Sequence, residues 1–375
     1  MEKLLYDILN IDTQNPPGNE RILAEYVRDA LAGTPCEVAL QDLGDGRANV
    51  IARLRGRASG HALMLNGHLD TVPNGSGWDT DPQRAEVRDG RVYARGASDM
   101  KSGLAAMLCA FRELAASGRR PAHDVLFAGT CDEESGGRGA QAVAEAGLLE
   151  GVDAILIGEP TDLGLGLAAK GCLWLRITAE GRTSHGAYPE RGVNAVEGLY
   201  ECTRRLKRAF EGGSHPLLGA ATATLTRIEG GVKANMVPDR AEAVMDVRTL
   251  PGTDHGALLS RAEALAAELC AERAGLRVAV AAENNRLPVE TRPDSRFARA
   301  MDRLWTARHG RPMQRVGTAF FSDASVFLRY ADCDVVQFGP GERALAHTPN
   351  ESVSLAACAD ALALWRALLA DDCVM

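Results

Sequence analysis

Short, continuous apolar runs alternate with helical periodicity through the first half of the chain. Residues 62–66 (ALMLN), 124–130 (DVLFAGT) and 152–158 (VDAILIG) each read as a strand buried on both faces. Between the first two, Leu104, Met107, Leu108, Phe111 and Leu114 recur at three- and four-residue spacing, which predicts a helix over 100–117. Strand, helix, strand, helix, strand implies parallel strands joined by crossovers. Residues 334–338 (DVVQF) predict one more buried strand near the C-terminus.

The middle of the chain has a different period. In 173–179 (LWLRITA), Leu173, Leu175 and Ile177 alternate with other residues, and 222–228 and 241–247 alternate in the same way. One-sided strands predict an antiparallel sheet covered on one face. Helical patterns over 194–209 and 255–273 complete the order strand, helix, strand, strand, helix, strand, the split βαβ arrangement. The expected architecture is therefore α/β in two domains. A larger α/β/α domain spans 1–171 and 285–375, and a smaller α+β, ferredoxin-like domain is inserted over 172–284.

Composition narrows the function classes. With 42 Lys+Arg against 50 Asp+Glu the net charge is −8, and no long basic run occurs, which argues against nucleic-acid binding. No stretch approaches the ~20 apolar residues of a membrane span. The N-terminus is acidic and amphipathic, unlike a secretory signal. Nine scattered cysteines without a C-x-x-C pair read as reduced thiols, and the expected location is cytoplasmic.

The chemistry gathers just after the buried strands. His68 and Asp70 follow the first, Glu133 and Glu134 the second, Glu159 the third, and His347 comes shortly after the last; Asp99 stands at the start of the 100–117 helix. Open α/β sheets bind ligands at these carboxyl ends. Taken singly, each residue is unremarkable: a solvated histidine, a helix cap, an acidic turn. Two histidines and three carboxylates at one sheet edge instead suit a pair of divalent ions, with one carboxylate bridging and one acid left to take a proton from water. The Glu133-Glu134 doublet offers a residue for each job. Asp70 is placed to accept the second ring N–H of His68.

The motifs G-H-L-D-T-V-P (67–73), R-G-A-S-D-M-K-S-G (95–103), D-E-E-S-G-G (132–137) and G-E-P-T (158–161) resemble the acetylornithine deacetylase/succinyl-diaminopimelate desuccinylase-like family of di-zinc metallopeptidases. The resemblance covers essentially the whole chain. It implies two divalent ions, zinc first, with cobalt or manganese as substitutes. His68 and Glu159 would hold one ion, Glu134 and His347 the other, and Asp99 would bridge them. Glu133 would be the general base and Asp70 would orient His68. It further implies a cis bond between Asp99 and Met100. The Ser-Gly at 102–103 replaces the family's more usual Gly-Gly.

In the inserted domain, G-R-T-S-H-G-A-Y-P (181–189) resembles the segment whose histidine, here His185, stabilises the oxyanion in the partner subunit's site, which implies a homodimer. G-G-V-K-A-N-M-V-P-D (230–239) offers Asn235 as a substrate contact, and D-V-R-T-L-P-G (246–252) offers Arg248 for a substrate carboxylate. F-F-S-D-A-S-V-F (320–327), with Ser322 as a further substrate contact, and 338–351 look most like the acetylornithine and acetylcitrulline deacetylases. The implied reaction is hydrolysis of an N-acyl amino acid in arginine synthesis. The alternatives are a dipeptidase or carboxypeptidase, a desuccinylase, and a catalytically dead binding protein.

Overall fold

A computed structural model describes residues 1–58 and 60–372. The chain divides into two compact units. One comprises Met1–Leu167, Glu290–Gly317 and Ser322–Met375; the other comprises Ala168–Val289 and Thr318–Phe321. The divisions at 167/168 and 289/290 lie a few residues outside the 171 and 285 read from the pattern. The Thr318–Phe321 stretch, which goes with the second unit, has no signature in the sequence.

The first unit is built on a nine-stranded mixed sheet. In spatial order it runs Glu37–Gly44, Arg47–Leu54, Asp124–Thr130, Ala62–His68, Val152–Ile157, Asp334–Gln337 and Leu165–Ala169, and shorter strands finish the far edge. The four strands from Asp124–Thr130 to Asp334–Gln337 pair in parallel, as the crossover pattern predicts. Ala62–His68 and Asp124–Thr130 are buried along their whole length, which is why they read as continuous apolar runs. Arg47–Leu54 joins antiparallel to Asp124–Thr130, and Leu165–Ala169 antiparallel to Asp334–Gln337, so the sheet is mixed rather than purely parallel.

Helix Lys101–Ala116 is buried almost throughout and packs against helices Glu2–Leu9 and Leu355–Ala370. Its first turn lies unusually close to the loop after Val152–Ile157. A Cβ on Gly103 would sit 2.1 Å from the Gly158 carbonyl oxygen, so only glycine fits. Of the Ser-Gly pair at 102–103, the glycine is the half that lets the helix start approach Glu159.

The second unit is a five-stranded antiparallel sheet in the order Gly212–His215, Gly219–Gly230, Arg240–Thr249, Gly171–Glu180, Arg277–Arg286. Without the first, short strand this is the arrangement expected of split βαβ units. Helices Ala195–Phe210 and His255–Glu272 share a core with Leu173, Leu175, Ile177, Met245 and Val247. Asn194 and Asp254 cap the helices by accepting two backbone N–H groups each. Because alternate residues face the helices, the opposite face carries Cys172, Arg176, Asp246 and Arg248. Among the described residues no helix is long and apolar enough to cross a membrane.

Candidate metal centre

His68 ends its strand almost fully buried, and two acceptors fix its ring. Nδ1 lies 2.9 Å from the Asp70 carbonyl oxygen and Nε2 lies 3.1 Å from Asp99 Oδ1. The other oxygen of Asp99, Oδ2, is 3.4 Å from His347 Nε2, which also lies 3.1 Å from Glu134. Asp99 is thus placed between two imidazoles, one at each carboxylate oxygen. The Asp99–Met100 peptide is cis, as the resemblance implied. Ligand atoms of His68, Asp99 and Glu134 all fall within 4.8 Å of one another. Two ligands of one tetrahedral zinc at ~2.1 Å stand ~3.4 Å apart, so these spacings suit an ion.

Asp99 is aimed by a residue that the sequence does not single out. Glu351, buried, accepts the backbone N–H groups of Ser98 (2.8 Å) and Asp99 (2.9 Å) through one oxygen, and Gly96 N–H and Arg95 Nη1 through the other. A Cβ on Gly341 would meet the Ser98 carbonyl at 2.1 Å, so the C-terminal loop also closes tightly over this turn.

The role expected of the Asp70 side chain is corrected. Its carboxylate is 3.7 Å from His68 Nδ1, too long for a hydrogen bond, and the backbone carbonyl of Asp70 orients the ring instead. The carboxylate accepts the N–H groups of Glu133 and Glu134, each at 3.1 Å. Asp70 therefore positions the acidic doublet. The reason is steric: an extended segment that presents its carbonyl to the preceding ring turns its side chain toward the neighbouring strand end.

Behind Asp70 lies a buried polar network. Asn15 Nδ2 donates to Asp70 Oδ2 (2.9 Å) and to Asp132 Oδ1 (3.0 Å), and its Oδ1 accepts from Arg47 Nη2 (2.8 Å). Arg47 also pairs with Glu20 (2.6 Å) and Asp132 (3.0 Å). None of Asn15, Glu20, Arg47, Asp132 or Glu351 carries a signal of periodicity or spacing. Their partners lie far away in sequence and are brought together only by the fold.

The centre is strongly acidic. Burial pushes the Glu133 carboxyl well above the usual range; His68 opposes this, and Glu159, Glu134 and Asp323 add to it. Glu159 is likewise held well above its ordinary value by burial and by Asp99. Burial raises Glu134 as well. Burial alone would keep His68 neutral, but the Asp99 hydrogen bond and the charges of Glu159 and Glu133 outweigh it and push the ring's pKa up. The Asp99 and Glu134 hydrogen bonds raise His347 to about 10. Glu133 Oε1 is buried with no hydrogen-bond partner. Four crowded carboxyl groups with two imidazoles are short of positive charge, and two divalent cations would supply it. The donor set fits a di-metal group.

The other predicted residues are placed as follows. Glu159, buried, follows strand Val152–Ile157 and acts electrostatically on both His68 and Glu133. His185 and Asn235 are exposed in the second unit, on neighbouring segments: the Gly186 N–H donates to the Asn235 carbonyl (2.8 Å) and His185 bridges to Met236. His185 Nδ1 accepts from the Ala187 N–H (3.0 Å), which leaves the proton of the neutral ring on Nε2. The fork of Arg248 is filled by Asp246, at 2.9 and 3.0 Å. Ser322 is buried in the first unit. Its hydroxyl accepts from Gln337 on strand Asp334–Gln337, and its carbonyl accepts from Ser325 in the turn they share, so both groups are engaged within the protein.

Residues 64–371 match the family model described as Peptidase family M20/M25/M40. The chain belongs to the M20 peptidase family. It is 28% identical to a probable succinyl-diaminopimelate desuccinylase of Staphylococcus epidermidis, over 94% of this chain and 92% of that protein. It is 31% identical to an acetylornithine deacetylase of Myxococcus xanthus, over 84% and 81%. An M20 metallo-carboxypeptidase from Sulfolobus solfataricus shares the fold, with a TM-score of 0.81, 19% identity and coverage of 100% and 99%. An M20 hydrolase with a candidate His/Asp/Glu metal site is therefore established, and the resemblance read from the motifs is the right one.

Proposed function

We propose that the protein hydrolyses the amide bond of an N-acyl amino acid, N-acetylornithine-like, at a pair of divalent ions, zinc first. The observation that carries this reading is Asp99 between His68 and His347, with the partnerless Glu133 carboxyl in the same buried cluster. His68, Glu159, Asp99, Glu134 and His347 would hold the ions, which when bound polarise an amide carbonyl and make a water more acidic. Glu133 takes a proton from the attacking water and returns it to the amine nitrogen as the C–N bond breaks. Asp70 keeps Glu133 aimed through its backbone N–H. The products are a free amino acid and a short carboxylic acid.

The test is a panel of N-acetyl, N-succinyl and dipeptide substrates on the metal-loaded protein, with elemental analysis alongside. Turnover of N-acetyl amino acids, up to two ions per chain, loss of activity on chelation and recovery with zinc or cobalt are expected. A desuccinylase or dipeptidase would show its own arm of the panel instead. Undiminished activity in metal-free protein would falsify the assignment.

The inserted unit is proposed to pair two chains and to lend His185 to the neighbour, its Nε2–H donating to the oxyanion. Val232, 87% exposed, together with exposed Ile228 and Met236, supplies apolar surface for such pairing. Mixing inactive His185→Ala chains with inactive Glu133→Gln chains should restore activity, because a mixed dimer then has one site with neither defect. If subunits exchange and no activity returns, His185 does not act across subunits.

A further inference from the structure

On the face of the second unit's sheet that is turned away from its helices, three residues stand opposite one another across adjacent strands: Arg248, Cys172 and Arg286. Directly paired residues project to the same side. Along this face other arginines have acids. Arg176 is met by Glu242 and Glu283, and Arg248 presents Nε and Nη2 to Asp246. Arg286 has none. It is only 5% exposed, and Nε and Nη2, the two nitrogens that Arg248 offers to its carboxylate, are buried with no hydrogen-bond partner. Two residues back on the same strand, and so on the same side, the buried amide nitrogen of Asn284 also lacks a partner. Asn285 between them points the other way, to His255 in the helical layer.

These are donors only. A buried guanidinium without a counter-charge is costly, and two parallel N–H groups in a fork match the two oxygens of a carboxylate. The half-buried ring of Phe321 lies 5.4 Å from the Arg286 guanidinium and 5.9 Å from that of Arg248, just past the bend that follows strand Arg315–Thr318. It covers the fork and gives an entering ligand an apolar wall. We propose that Arg286, helped by Asn284, is a carboxylate-binding site of the inserted unit. Arg248, chosen from the sequence for that task, is already committed to Asp246. The occupant is a small organic acid or the acid group of a larger ligand, held side-on by Nε and Nη2.

The experiment uses the full-length, metal-loaded protein and succinate as probe, with neutral succinamide as control. Calorimetric titration and thermal unfolding are read on wild type, Arg286→Met, Arg286→Lys and Asn284→Ala. Succinate is expected to bind and stabilise wild type while succinamide does neither. Arg286→Met should weaken succinate binding about tenfold or more, the usual scale for a charge-assisted bidentate pair. Arg286→Lys, which keeps the charge but not the fork, should fall between, and Asn284→Ala should lose a smaller factor. Without succinate, Arg286→Met should unfold no earlier than wild type, because it removes an uncompensated buried charge; an arginine serving only as structure would instead cost stability. Succinate binding unchanged in Arg286→Met places the acid elsewhere, the metal centre included, and overturns the proposal. So does wild type that ignores succinate. Neither readout needs turnover, so the result is independent of the hydrolase assignment.

Discussion

Glu133→Gln is expected to lower kcat by ~100-fold or more, from the lower bound of the range for a general base upward, with metal content unchanged. The substitution keeps shape and burial and removes only the ability to take a proton. Glu133 is suited to the role because its Oε1 is buried and meets no donor, so its basicity is not spent on the protein. Its neighbour differs: Glu134 faces His347 at 3.1 Å and belongs to the cluster whose ligand atoms converge. Glu134→Gln should therefore lose metal as well as rate. Steady-state kinetics beside elemental analysis of both variants checks the pair. Metal loss in Glu133→Gln with retention in Glu134→Gln would reverse the two roles.

The candidate ligands His68, Glu134 and Glu159 were legible because they stand at the ends of buried strands, and a run such as Ala62–His68 declares itself by being buried throughout, whereas Asp99 stood out only by its motif at a helix start. The inserted sheet was legible for the opposite reason: Gly171–Glu180 and Arg240–Thr249 alternate, one face on the helices and one not. The antiparallel edge hairpin Glu37–Gly44/Arg47–Leu54 was not anticipated. Its outer strand has no buried residue and carries no long apolar run. Side-chain direction was harder still. Sequence spacing put Asp70 beside His68, and the backbone did bring them together. It did so through the Asp70 carbonyl, which freed the carboxylate for the acidic doublet. Arg248 shows the same limit: a residue type fitted to a carboxylate met one two positions away on its own strand.

The network behind Asp70 predicts the second large effect, Asn15→Asp. Asn15 is 3% exposed, and the Arg47 guanidinium at its Oδ1 sets the amide so that Nδ2 faces Asp70 and Asp132. With Glu20, three buried acids here share one guanidinium and one amide. An aspartate at position 15 would replace the two donated hydrogen bonds by carboxylate repulsion at ~3 Å. One such like-charge contact costs ~5 kcal/mol at an effective dielectric constant of ~20. Relaxation reduces that, and a net loss of about 3–5 kcal/mol, the scale of a broken buried ion pair, is expected in denaturant unfolding. Asn15→Ala only leaves the acids short of a donor and should cost about 1–3 kcal/mol. Activity should follow a different order from stability. In either variant Asp70 is less firmly held, so Glu133 and Glu134 lose their anchor; kcat should fall at temperatures where the protein is still fully folded, with KM little changed. If Asn15→Asp proves no less stable than Asn15→Ala, the charge account of this network is wrong. If kcat stays at the wild-type value in folded Asn15→Ala, the path from Asn15 through Asp70 to the acidic pair carries no catalytic weight.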